Sequence, residues 1–129
     1  MRPDTFPWWR QASVTALTDN DRAVLAFARQ LHTEHGFEGV WLIDARARQL
    51  TTDDGDYRLL LVSECFRDCS PRGRQIGLHD IFYRLGGFAP LDLICLTPEE
   101  FEQAKGRASL VRAVMPEAID LLAETPAPA

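Results

Sequence analysis

Apolar residues recur at helical spacing through Val24, Leu25, Phe27, Ala28 and Leu31, which predicts an amphipathic helix. Thr18 or Asp19 can cap its start, with Asp21 in the first turn, and Gly36 closes it. Val40-Trp41-Leu42-Ile43 is a short solid apolar run and reads as a buried strand. The stretch from 44 to 55 is polar and ends in the turn signal Asp53-Asp54-Gly55. Tyr57 to Val62 gives a second buried strand, and residues 63–75, with Ser70-Pro71-Arg72-Gly73, read as a loop. A helix is expected from Ile76 to Leu85, ended by Gly86-Gly87. Leu91-Asp92-Leu93-Ile94-Cys95-Leu96 is a third strand. In Thr97-Pro98-Glu99-Glu100 proline suits a first helical turn and Glu100 can complete a capping box. A final helix is expected over Ser109 to Leu122, with a break at Pro116. The order helix, strand, strand, helix, strand, helix predicts an α/β (α+β) fold, a small mixed β-sheet with helices packed on it.

Composition narrows the class. A chain of 129 residues that is 46% hydrophobic and 26% charged can bury one core, and neither repeat nor linker divides it. The expected organisation is an N-terminal arm over 1–17, a single domain over 18–122 and a short tail over 123–129. Net charge is −5, which argues against a dedicated nucleic-acid binder with a phosphate-facing basic surface. Local clusters could still hold a triphosphate, since thirteen of the fourteen basic residues are arginine and Lys105 is the lone lysine. No apolar run approaches the length of a membrane span. Three cysteines and the absence of an export-like N-terminus lead us to expect a reducing, cytoplasmic setting.

Cys65 and Cys69 stand four apart, with His32, His35 and His79 elsewhere. No tight Cys-x-x-Cys pair is present, so isolated thiols and surface histidines are expected rather than zinc ligands or a Cys–His catalytic pair. Trp8 and Trp9 are expected to cover apolar surface and Trp41 to sit in the strand core, in preference to stacking a base.

The run Ile43-Asp44-Ala45-Arg46-Ala47-Arg48-Gln49 leads at short spacing to Gly55-Asp56-Tyr57-Arg58 and the apolar Leu59–Val62. Together with Leu91-Asp92-Leu93-Ile94-Cys95-Leu96-Thr97-Pro98-Glu99-Glu100-Phe101, it resembles the active-site signature of the minimal nucleotidyltransferases, in the DNA polymerase beta-like superfamily. In that family a strand ends in Gly-Ser, the loop reads Arg-Ala-Arg-Gly, and the next strand carries Ser-Asp-x-Asp before an apolar run. Here Arg46-Ala47-Arg48 stands, Gly-Ser has become Asp44-Ala45, and the second aspartate has become Arg58. The resemblance runs from about Asp21 to Leu122.

The resemblance implies transfer of a nucleoside monophosphate from a triphosphate. Two divalent cations, Mg or Mn, would be held by carboxylates, because hard cations demand oxygen ligands. Asp56 and Asp92 match the first and third carboxylates, and Asp44, Ala45, Arg46 and Arg48 match the triphosphate-facing loop. Residues two apart on a strand share a face, so Asp56 and Arg58 should face Asp92 on a neighbouring strand. A guanidinium ligates no metal, and Asp44-Ala45 offers no hydroxyl and would put a negative charge where phosphate should sit. An impaired nucleotidyltransferase-like domain follows, binding a nucleotide or a protein partner. In such families that partner is commonly a helical HEPN-type protein of a toxin–antitoxin module. Two alternatives stay open: an active metal-dependent transferase using Asp54, Asp56 and Asp92, with the carboxylate pair read as Asp54-Gly55-Asp56, and a structural scaffold or oligomer.

Overall fold

A computed structural model describes residues 19–43 and 57–122. Helix α1 spans Asp19–His35, strand β1 Gly39–Leu42 and strand β2 Tyr57–Val62. Helix α2 follows over Leu78–Arg84, then strand β3 over Leu91–Leu96 and helix α3 over Pro98–Lys105. A short helix α4, Leu110–Val114, and a two-residue strand β4, Ile119–Asp120, complete the order. The sheet runs β3-β2-β1-β4. β1 is antiparallel to both β2 and β4, whereas β2 and β3 are parallel, so the sheet is mixed as expected. The parallel pair requires a crossover, and the segment containing α2 supplies it.

Alternation along the strands divides the apolar residues between two helical layers. Tyr57, Leu59, Leu61, Val40, Leu42, Leu91 and Leu93 join one core with Val24, Phe27, Ala28 and Leu31 of α1 and with Leu78 and Phe82 of α2. Leu60, Val62 and Ile43 join a second core with Phe101, Ala104 and Val111 of α3 and α4. Trp41 lies in this second layer, half-buried, with its ring stacked on Phe101 at 4.9 Å. The same ring covers the α-carbon of Gly39, where any Cβ would overlap it. Solid apolar strands are therefore the consequence of a sheet covered on both sides.

The helix ends obey the local signals. Gly36 adopts φ 72° and its N–H donates to the His32 carbonyl at 3.2 Å, closing α1 in a left-handed turn. Thr97 and Glu100 form the reciprocal capping box at the start of α3, with Pro98 in its first turn. Thr97→Ala is expected to lower stability by about 1 kcal/mol, read from the chemical-denaturation midpoint, because one helix donor then loses its partner.

Three expectations are corrected. The last helix does not reach Leu122. It stops at Val114, a 3-10 turn Met115–Glu117 surrounds Pro116, and the chain then pairs with Trp41 and Leu42 as β4. Proline lacks an N–H and cannot carry the helix on, and the following Ile119 finds hydrogen bonds at the sheet edge instead. The second helix is shorter than Ile76 to Leu85, because Gly77 at φ 85° breaks the chain ahead of Leu78. The loop over 63–75 holds two 3-10 turns, Glu64–Phe66 and Gly73–Gln75, the first capped by the Ser63 hydroxyl.

Among the described residues β3 is an edge strand, and two side chains cap carbonyls on its outer side. His79 Nε2 donates to the Leu91 carbonyl at 2.8 Å, and Arg74 Nη1 donates to the Cys95 carbonyl at 3.0 Å. Among the described residues no helix is long and apolar enough to cross a membrane.

Candidate functional site

The first turn of α1 sets the position of the strand starts where the candidate site lies. Asn20 is buried, and its Oδ1 accepts from the backbone N–H groups of Phe88 and Ala89 at 2.8 and 2.9 Å. Tyr57, the first residue of β2, is fully buried and donates its hydroxyl to Asp21 Oδ1 at 2.5 Å. The Tyr57 N–H in turn donates to the Pro90 carbonyl at 3.0 Å. One helix end thus fixes both β2 and the approach to β3, through polar groups that cannot be left unpaired inside. The sequence placed Asp21 only as an acidic residue of the first turn and did not foretell this clamp. The available signal was two consecutive polar residues ahead of a buried apolar stripe.

Immediately beyond the clamp, Arg58 and Asp92 are register partners on the parallel strands β2 and β3. Their side chains emerge on the sheet face shared with α3 and α4, and Arg58 Nε donates to Asp92 Oδ2 at 2.9 Å. Arg58 also engages a group beyond that pair. Both side chains are about half exposed, 45% and 57%, so the ion pair contributes little to stability, on the order of 0–1 kcal/mol. Its consequence is electrostatic: the cation already beside Asp92 is a guanidinium. The expectation that Arg58 contacts an aspartate on the same face agrees with this geometry. Asp44, Ala45, Arg46, Arg48, Asp54 and Asp56 lie outside the described residues, as does the expected juxtaposition of Asp56 with Asp92.

The described residues do not by themselves fit a two-metal centre. Of the carboxylates matched to metal ligands only Asp92 is among them, and one of its oxygens is hydrogen-bonded to Arg58. Among the described residues no group of three His, Cys, Asp or Glu side chains is placed to hold a metal ion. Cys65 and Cys69 are exposed, and Cys95 is partly buried. Burial pushes the Cys95 thiol up to about 12, against a smaller opposing pull from Arg74, so it is not a nucleophile near neutral pH.

A second polar cluster was not foreseen. Arg74, its side chain only 8% exposed, meets Glu100 through both guanidinium ends, Nη1 to Oε1 at 2.6 Å and Nη2 to Oε2 at 3.2 Å. Its Nε donates to the Cys69 carbonyl at 3.3 Å, so one side chain ties the 63–75 segment to β3 and α3. The Arg74 hydrogen bonds, helped by the Thr97 N–H, hold the Glu100 carboxyl down at about 2. Nearby Arg67 bridges Glu64 and Glu99, on the surface.

No protein-family model and no curated protein sequence matches this chain. Among solved structures, the chain is similar to a "putative nucleotidyltransferase" from Sulfolobus solfataricus. Identity is 19%, the match covers 66% of this chain and 79% of that chain, and the TM-score is 0.41. A likeness of that extent neither identifies a family nor transfers an activity.

Proposed function

We propose that this chain is a nucleotidyltransferase-like domain impaired in transfer, whose surviving role is to bind a nucleotide or a protein partner. The observation that carries the reading is the register pair Arg58–Asp92 on adjacent parallel strands. In the motif that the sequence resembles, those two positions are the second and third metal-binding carboxylates. With arginine at one of them, a fixed positive charge stands where a cation would be clamped, and a ligand is lost. The same guanidinium retains use as a phosphate contact, because its planar fork suits phosphate oxygens as well as carboxylate ones. Arg46 and Arg48 would add to such a contact from the preceding loop. The sequence resemblance also supports an antitoxin-type pairing with a helical HEPN-type protein.

The test is a labelled-nucleotide assay with each nucleoside triphosphate and Mg or Mn. Incorporation indistinguishable from a no-protein control is expected, while calorimetry should still detect triphosphate binding that weakens in Arg58→Ala. Robust transfer that disappears in Asp56→Asn would instead establish the active reading with Asp54, Asp56 and Asp92. Absence of both transfer and triphosphate binding would leave the protein-partner role, to be tested by co-purification with a helical partner.

A further inference from the structure

The sheet face that carries Arg58 and Asp92 has a concavity farther along β3. Asp92 and Leu96 are four residues apart, roughly 13 Å of strand, and beyond Asp92 the strand enters a pocket of about 420 Å³ between β3, α3 and α4. Ile94, Leu96, Ala104, Leu110 and Val111 contribute its apolar wall. Leu110 remains 48% exposed, an apolar side chain left uncovered at the opening. The volume falls in the range of small-molecule sites, roughly 300–1,000 Å³, which combine apolar walls with a few polar groups.

Charge decides what such a pocket admits. Two arginines and one glutamate line it. Arg74 is committed to Glu100 through both ends of its guanidinium. Arg107 is exposed, and among the described residues its guanidinium has neither a hydrogen-bond nor an ion-pair partner. One uncompensated positive charge therefore stands beside an apolar wall. A cation would meet this charge, and a neutral molecule would gain nothing from it. A dianion would bring a second negative charge close to Glu100.

We propose that this pocket binds a small monocarboxylate with an apolar body. The hydrocarbon covers Ile94, Leu96 and Val111, and the carboxylate pairs with the Arg107 fork. The site is separate from Arg58 and Asp92, and the inference stands whether or not that pair binds nucleotide.

The experiment titrates the isotope-labelled full chain with hexanoate, 1-hexanol and hexylamine, following backbone amide resonances. Hexanoate should produce saturable shifts at Ile94, Leu96 and Val111, with affinity about threefold or more above hexanol, the scale of an exposed ion pair. Hexylamine should bind weakest. Arg107→Glu, at an exposed position, should leave the spectrum folded and reverse the order of hexanoate and hexylamine. Equal affinity for all three probes, shifts that fail to saturate, or an order unchanged in the variant would each overturn the proposal.

Discussion

Arg58→Asp should raise the affinity for Mn about tenfold or more, measured by isothermal titration. Arg58 and Asp92 are register partners on neighbouring strands, which places their α-carbons about 5 Å apart on one face. The substitution removes a cation that Asp92 already engages and adds a second carboxylate, changing the local formal charge by two units. Arg58→Ala separates the two contributions, since it removes the repulsion without adding a ligand, and its affinity should fall between the two. Combined with Asp44→Gly and Ala45→Ser, the aspartate variant should recover measurable nucleotide transfer. Metal affinity that is the same in all three proteins would show that this face is not a disabled metal site.

Arg74→Ala should destabilise the protein by about 3 kcal/mol in denaturant unfolding, a large share of what a domain of this size has. The side chain is nearly buried and serves Glu100, the Cys95 carbonyl and the Cys69 carbonyl at once. Its loss leaves a capping carboxylate without its cation and two carbonyls without a donor. The same pair predicts an acid dependence. Glu100 is held at about 2 against an ordinary 4.5, so its contribution is complete above the ordinary value and is lost as pH falls from about 4.5 towards 2. With the Glu100 side chain 41% exposed, that contribution is about 1–2 kcal/mol after allowing for solvent screening. The alanine variant should therefore show a visibly flatter loss of stability over this window. A cost below about 1 kcal/mol, or an unchanged acid profile, would mean that the cluster holds nothing together.

Strands were the most legible part of the chain, for a physical reason. Leu59 to Val62 and Leu93 to Leu96 are covered on both faces, with only Arg58 and Asp92 open near the strand starts, and double burial leaves an apolar run that has few other readings. The capping box was legible because both halves lie within four residues. Ile119–Asp120 was not, since two residues carry no period and their strand identity comes from Trp41 and Leu42. Of the candidate site, the facing of Arg58 and Asp92 followed from strand alternation once the strands were right. The Asn20–Asp21–Tyr57 clamp and the Arg74–Glu100 pair join residues 26 to 69 apart in sequence. Nothing local marks such partners.

The side chains that close β3 have a consequence for assembly. A strand at the border of a sheet offers its outward N–H and C=O groups to any extended chain that drifts by, and proteins must blunt that invitation. Here His79 and Arg74 occupy the outward carbonyls of Leu91 and Cys95, at opposite ends of the strand. An incoming strand would have to evict a histidine at one end and a guanidinium at the other before its own backbone could pair. Among the described residues the parallel side of the sheet thus resists continuous strand addition from one molecule to the next, because two of the carbonyls it would use are already taken by side chains.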